Sequence, residues 1–320
     1  MTVRLALVGL GDIGTGAHLP ALRRNPDVEV VALADPDPAR GAPYASLDEV
    51  LDHVAVDGVV LATPPWVTTD LITRATQAGV FVLAEKPVAV TPEAAAPLAE
   101  LPPEQRARVQ VGLTYRHDPA MDVLRRWITG RVLGDDLLVR AHIYDERRDP
   151  ADPGHAGRIE ATLGHGLPVV HEGAHVFDWF AHLFGGGPTA VDDAWSVATR
   201  PGLPSANLCG ARLRYPGGVT VLAEFGWLTA ALPRCEITFL GDRGHAVLDG
   251  SSFALDATFG HTVKRVRFTG DRTTRCFDLQ VSRFVALITG TDPVPSPSLA
   301  DGLAALETST RVARLAGGGR

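Results

Sequence analysis

Residues Val3–Gly9 form an apolar run that breaks at Gly9-Leu10-Gly11-Asp12-Ile13-Gly14 and passes directly into a helical stretch reaching about Arg24, where Asn25-Pro26-Asp27 stops it. This junction constrains the fold more than any other feature of the chain. The glycine spacing alone is a weak signal, but after a buried strand and at the opening of a helix it has a mechanism. Gly9 permits a tight turn, Gly11 lets the backbone approach a pyrophosphate, and Gly14 lets helix and strand pack closely. The free N–H groups at the helix N-terminus then face the phosphates. Asp12 and Ile13 belong to the same cofactor-binding turn. The second apolar run, Val28–Ala34, ends at Asp35, 21 residues after Gly14. A carboxylate at that distance hydrogen-bonds the adenosine ribose and repels the extra phosphate of NADP. The cofactor expected is therefore NAD.

Further apolar runs at Asp57–Ala62, Val80–Ala84 and Val109–Leu113 alternate with helical stretches at Ser46–His53, Thr68–Ala78 and Pro92–Glu100. Ser46 stands where it can cap the first of these. Such alternation predicts βαβ units and a doubly wound parallel sheet with both faces covered, an α/β fold. The character changes after Tyr115. A helix over about 118–129 leads into alternating segments at Leu137–Tyr144, Ala190–Ala198, Ala211–Tyr215, Val219–Trp227, Arg234–Leu240, His245–Asp249 and Val263–Thr269. These predict an α+β domain with a large, mostly antiparallel sheet and a hairpin turn at Tyr215-Pro216-Gly217-Gly218. The stretch Glu146–Gly166 reads as a loop, His175–Leu183 as a helix, Ser298–Leu315 as a final amphipathic helix, and Gly317–Arg320 as a frayed tail. The expected division is 1–117, a dinucleotide-binding domain; 118–297, a substrate and oligomerisation domain; and 298–320, a helix packing back on the first domain.

The net charge of -7 and the lack of any basic run argue against a nucleic acid or an anionic membrane surface as partner. No apolar segment is long enough to span a bilayer. The three cysteines, Cys209, Cys235 and Cys276, are far apart and lack CxxC spacing, which suits a reduced, cytoplasmic protein. Of 30 basic residues only two are lysines, Lys86 and Lys264. Lysine, unlike arginine, can give up its proton near neutral pH.

Several motifs together resemble the Gfo/Idh/MocA family of sugar and polyol dehydrogenases over essentially the whole chain. Besides the glycine turn these are Thr63-Pro64-Pro65, where the family usually has Thr-Pro-Asn, and Glu85-Lys86-Pro87, its most distinctive tripeptide. The stretch Gly112-Leu113-Thr114-Tyr115-Arg116-His117-Asp118-Pro119 is similar to the family's entry into the second domain. The segment His171-Glu172-Gly173-Ala174-His175-Val176-Phe177-Asp178 lines up with its DxGxHxxD helix. The resemblance implies an active site between the domains, with Thr63, Pro64, Glu85 and Lys86 toward the cofactor and Lys86 and His175 flanking the nicotinamide. Lys86 is the implied acid/base, assisted by His175. The implied substrate is a sugar, aminosugar or cyclitol, with Arg116, His155, His171 and His175 as binding residues. A homo-oligomer, dimer or tetramer, is implied through one face of the second sheet. At His171 the chain departs from the pattern, since the family usually has an acid there. A histidine can donate or accept, and it is read here as sharing proton relay or substrate binding.

Two other readings compete. His171-Glu172-Gly173-Ala174-His175 satisfies HExxH, the pattern of zinc peptidases, in which both histidines share a helix face. Gly173 weakens the helix that motif needs, no distal ligand is evident, and the glycine turn would go unexplained, so no metal is expected. The other is a non-catalytic NAD-binding sensor on the same fold, against which stands the retention of both Lys86 and His175.

Overall fold

Five apolar segments become the parallel strands that the sequence predicts. They are β1 (Val3–Val8), β2 (Val28–Ala34), β3 (Gly58–Leu61), β4 (Phe81–Glu85) and β5 (Val109–Gly112), in the order β2-β1-β3-β4-β5. The structure, a computed structural model, describes residues 2–144, 151–227 and 235–317. All four pairings in this sheet are parallel. Strands β3 and β5 are buried at every position, which is why β3 reads as an unbroken apolar run and β5 as one interrupted only by the buried Gln110. The connecting helices are α1 (Leu19–Arg24), α2 (Leu47–His53), α3 (Pro65–Gln77), α4 (Ala96–Ala99) and α5 (Pro103–Arg106). The Ser46 side chain caps α2, accepting the Glu49 N–H at 3.2 Å. The order reverses between β1 and β3, and the crevice outside the carboxyl ends of strands at such a point is where open α/β sheets bind ligands.

The later part of the chain holds α6 (Pro119–Thr129), β6 (Leu138–Ile143), α7 (Pro153–Leu163) and α8 (Pro168–Phe184). It continues with β7 (Ala190–Val197), β8 (Leu208–Arg214), β9 (Thr220–Gly226), β10 (Glu236–Leu240), β11 (Gly244–Asp249), β12 (Leu255–Phe259) and β13 (Thr262–Val266). These eight strands form one sheet, ordered β13-β12-β11-β10-β6-β9-β8-β7. Only the β6–β9 pair is parallel. Gly217 and Gly218, both at positive φ, close the β8–β9 hairpin at the predicted place. Strand β12 was not anticipated.

The loop expected over 146–166 is corrected in its second half, where α7 forms. Asp152 caps it, accepting the His155 N–H at 3.0 Å, and Pro153 opens it. Ile159 and Leu163 bury themselves with Trp227, so tertiary packing outweighs the glycines at 154 and 157 inside the helix. Residues 145–150, the start of that stretch, and 318–320, most of the expected frayed tail, lie outside the described residues.

The chain divides into two compact units, residues 1–117 with 273–306, and residues 118–272 with 307–320. This differs from the expected boundary at 297/298. A helix not anticipated from the sequence, α9 (Arg272–Thr289), supplies Phe277, Val281 and Phe284 to the core built on Leu5, Leu7, Leu22, Val60 and Leu83. A parallel sheet must be covered on both faces, and a late segment of the chain provides part of that cover. Beyond it, the Val111 N–H donates to the Pro297 carbonyl at 2.9 Å, and Ser298 bridges Gln110. In α10 (Leu299–Gly317), Leu303 and Leu306 pack with Ala89 and Ala95 of the first unit. The same helix contributes its residues from 307 onward to the second unit.

Candidate functional site

The three glycines of the turn do different physical work. Gly9 sits at φ +95°, and a Cβ there would fall on the Ala62 carbonyl. A Cβ on Gly14 would fall on the Gly9 carbonyl oxygen, with Ala62 Cβ at 3.4 Å. These two positions are closed by the protein's own backbone. Gly11 is the opposite case, because among the described residues nothing lies within 4 Å of its missing Cβ. The open side of the turn therefore lies at the glycine assigned to the pyrophosphate, and the residues present fit a bound dinucleotide. After Gly14 the chain makes a π-helical turn, Gly14–His18, in which the Leu19 N–H donates to the Gly14 carbonyl, before α1 begins.

Asp35 is held in place at the end of β2. One carboxylate oxygen accepts the Leu10 N–H at 2.7 Å and the other accepts the Asp37 N–H at 2.9 Å. The carboxylate thus ties the second strand to the glycine turn and keeps free lone pairs for a ribose hydroxyl. Thr63 and Pro64 follow β3 at the neighbouring strand end. Thr63 Oγ1 lies 2.9 Å from Thr68 Oγ1, which fixes the start of α3. Ile13 and Trp66 are exposed on this side, Trp66 by 70%. That exposure removes a packing role for the indole and leaves it available to a ligand.

Glu85 and Lys86 end β4. The Glu85 carboxylate is nearly buried and already has two partners. One oxygen lies 2.8 Å from Nε2 of His18, which is fully buried, and the other accepts the Lys86 N–H at 3.1 Å. Gly112 of β5 leaves room for it, since a Cβ there would stand 3.0 Å from the same carboxylate. Glu85 thus supports Lys86, and in this geometry its carboxylate is occupied by protein partners. Lys86 is half-buried and joined to Pro87 by a cis peptide. His18 was missed at the level of sequence. It stands 67 residues from Glu85, and no local pattern marks the pair.

Arg116 follows β5 as expected, but its guanidinium is buried against Asp301, with 3.1 Å between Nη1 and the carboxylate. Ser298 donates to the same carboxylate oxygen through its N–H and hydroxyl. Burial pushes the Asp301 carboxyl up, yet Arg116 and Ser298 outweigh it and hold the carboxyl below its ordinary value. Arg116 thus braces the segment returning to β5.

In the second unit α8 runs unbroken from Pro168 to Phe184, longer than predicted. Gly173 does not weaken it enough to break it. A Cβ there would lie 2.9 Å from Ser309 Oγ and from Val169 Cγ2, so the glycine is needed for packing. His171 and His175, four residues apart, share a helix face. The His175 ring stacks on Trp179 with centroids 6.4 Å apart, and His171 leans on Trp227 at 5.6 Å. Both indoles are buried, so they fix the imidazole orientations. His155 lies on α7, with Nδ1 3.1 Å from an Arg158 guanidinium nitrogen. Among the described residues no group of three His, Cys, Asp or Glu side chains could hold a metal ion. The zinc reading of HExxH has no support in the structure.

The profile of the Gfo/Idh/MocA oxidoreductase family with an NAD-binding Rossmann fold matches residues 3–113, and the profile of that family's C-terminal domain matches 121–247. The chain belongs to this family. It is an NAD-binding oxidoreductase. The rhizopine catabolism protein MocA of Rhizobium meliloti is 32% identical over 62% of the chain and 62% of its own length. An inositol 2-dehydrogenase of Rhizobium meliloti is 26% identical over 98% of the chain and 97% of its own length. A myo-inositol 2-dehydrogenase from Lactobacillus plantarum shares the fold, with a TM-score of 0.82, 18% identity and coverage of 100% and 98%.

Proposed function

We propose that this oxidoreductase transfers hydride between NAD and a secondary alcohol or ketone carbon of a cyclitol, sugar or aminosugar. The observation that carries the reading is the meeting of the open Gly11 turn, the oriented Asp35 and the end of β4, where Lys86 stands, along the carboxyl edge of one sheet. Bound NAD supplies the two-electron acceptor or donor. Gly9, Gly11, Asp12, Ile13 and Gly14 would hold its pyrophosphate, Asp35 its adenosine ribose, and Thr63, Pro64 and Trp66 would line its other edge. The Asp35 carboxylate, with Asp37 beside it, favours NAD over NADP by repelling a 2′-phosphate.

Alcohol oxidation needs a base for the hydroxyl proton as hydride leaves carbon. The Lys86 amine takes that proton at Nζ, and in reduction its ammonium returns one to the new alkoxide. His175 and His171, held by their indoles, assist by hydrogen-bonding substrate hydroxyls. Cyclitols are the favoured class because a relative matched over nearly its full length is named as an inositol 2-dehydrogenase.

Residues Val221, Ala223 and Phe225 of β9 are buried, so Leu222 and Glu224 face the other side of the eight-stranded sheet. That face, with Trp195, is where a dimer or tetramer would form. Three free cysteines and no helix, among the described residues, long and apolar enough to cross a membrane suit a cytoplasmic location.

The test is a screen of inositol isomers, sugars and aminosugars with NAD, read by NADH absorbance, on wild type and Lys86→Met. Turnover with at least one polyol, lost in Lys86→Met while NADH still binds, is expected. NADH binding without turnover of any member would favour the sensor instead.

A further inference from the structure

We infer that His18 is a positioning residue for Lys86, acting through the Glu85 carboxylate and linking the dinucleotide-binding turn to the proposed acid/base. The catalytic consequence rests on the reading of Lys86 given above; the positioning itself rests on geometry.

Three observations carry it. First, His18 and Glu85 are both buried, and Nε2 donates to the carboxylate at 2.8 Å. The other ring nitrogen, Nδ1, is buried without a hydrogen-bond partner among the described residues, and the ring sits edge-on to Phe277 at 5.0 Å. The imidazole therefore has one polar task. Second, the second Glu85 oxygen accepts the Lys86 N–H at 3.1 Å. A carboxylate fixed at both oxygens fixes the backbone at the residue that carries the amine. Third, His18 closes the π-helical turn that starts at Gly14. A π turn holds one more residue than an α turn. Its register is what sets His18 facing inward beneath the glycine turn, while Gly16 and Thr15 stay exposed. A displacement of the turn by bound dinucleotide would reach Lys86 through two hydrogen bonds. A purely structural account would let any apolar group of this volume serve beside Phe277. It leaves unexplained why a buried carboxylate, costly without partners, stands beside the lysine.

The chain's two lysines make the test direct. The full-length protein labelled with ¹⁵N-lysine gives two lysine backbone amide signals, and Lys264→Arg assigns them. His18→Leu is expected to displace the Lys86 signal and speed its hydrogen exchange about tenfold or more, leaving Lys264 in place. His18→Gln, whose side-chain N–H₂ reaches the same oxygen, returns the signal toward wild type. With the best polyol of the screen, kcat falls about tenfold in His18→Leu and recovers in His18→Gln, while the NADH Kd changes less than about threefold. If His18→Leu does not fold, His18→Asn, too short to reach Glu85, asks the same question.

An unmoved Lys86 signal in the Leu or Asn variant overturns the inference. So does a Gln variant no better than Leu in both signal and kcat. A displaced signal together with full turnover by Lys86→Met would instead defeat the acid/base reading and leave the positioning intact.

Discussion

Alanine at Gly11 and alanine at Gly14 add the same methyl group to the same turn, and the structure separates their effects. At Gly11 the methyl meets no atom of the described residues within 4 Å. The folded state has no reason to resist it, and the lost backbone freedom of glycine stabilises the native state by about 0.4–1 kcal/mol. Gly11→Ala should therefore change stability by less than about 1 kcal/mol, or less than about 4 °C in Tm at the usual sensitivity of domains this size. The methyl does fill the space through which a pyrophosphate must approach the amides. Hydrogen bonds to a charged group contribute about 1.5–3 kcal/mol each, and every 1.4 kcal/mol is about tenfold in Kd. Losing one raises the NADH Kd by about 10-fold to 150-fold, and losing two by about 100-fold or more. At Gly14 the methyl instead falls on the Gly9 carbonyl, a backbone atom that cannot rotate away. Overpacking of this kind costs about 1–3 kcal/mol, so Gly14→Ala should lower Tm clearly. Titration by NADH fluorescence and thermal unfolding by circular dichroism measure both quantities on both variants. A Gly11→Ala protein that binds NADH as tightly as wild type would refute the assignment of the open glycine to the phosphates. Equal Tm losses in the two variants would refute the division between closed and open positions.

His171→Ala should lower kcat about tenfold or more with the NADH Kd unchanged, and unchanged turnover in steady-state assays would remove His171 from the reaction. Asp301 is held below its ordinary carboxyl value of about 3.9 in the folded protein. Its stabilisation is therefore present above that value and lost as pH falls through the lower folded one. Asp301→Asn should cost about 1–2 kcal/mol at neutral pH, discounted because its side chain is 33% exposed. The gap to wild type in urea unfolding should close below about pH 4, and a gap independent of pH would contradict this. Burial pushes the Cys209 thiol up to about 12, despite a backbone hydrogen bond at Val169, and Cys276 is buried too. A thiol reagent should therefore modify only the half-buried Cys235 in the native protein and all three cysteines after denaturation, as counted by mass spectrometry.

What the sequence disclosed follows the range over which each feature is determined. The strands of the parallel sheet are marked by their own residues, largely apolar and ended by Gly9, Asp35, Thr63 and Lys86, so sheet and cofactor turn could be read together. Helix α7 carried a start signal in Asp152-Pro153, but its two glycines hid it, because what stabilises it is burial of Ile159 and Leu163 against Trp227, far along the chain. Helix α9 shows Phe277, Val281 and Phe284 at helical spacing, yet nothing local says which sheet that stripe covers. Its place depends on the unmet need of the parallel sheet for a second apolar cover, a property of the assembled layer. The candidate site divides the same way. Lys86 was legible because its tripeptide and the scarcity of lysine mark it. What fixes Lys86 was not legible, because His18 and Glu85 meet only once β1 and β4 lie in one sheet and a π turn has brought the imidazole inward. Arg116 shows the same dependence on the fold. A cation after a strand end reads as a ligand for substrate, but the return of Ser298 and Asp301 to the edge of β5 supplies the partner that the local sequence omits. The groups proposed for the chemistry are announced by type and position, whereas the groups that hold them are defined only by the fold.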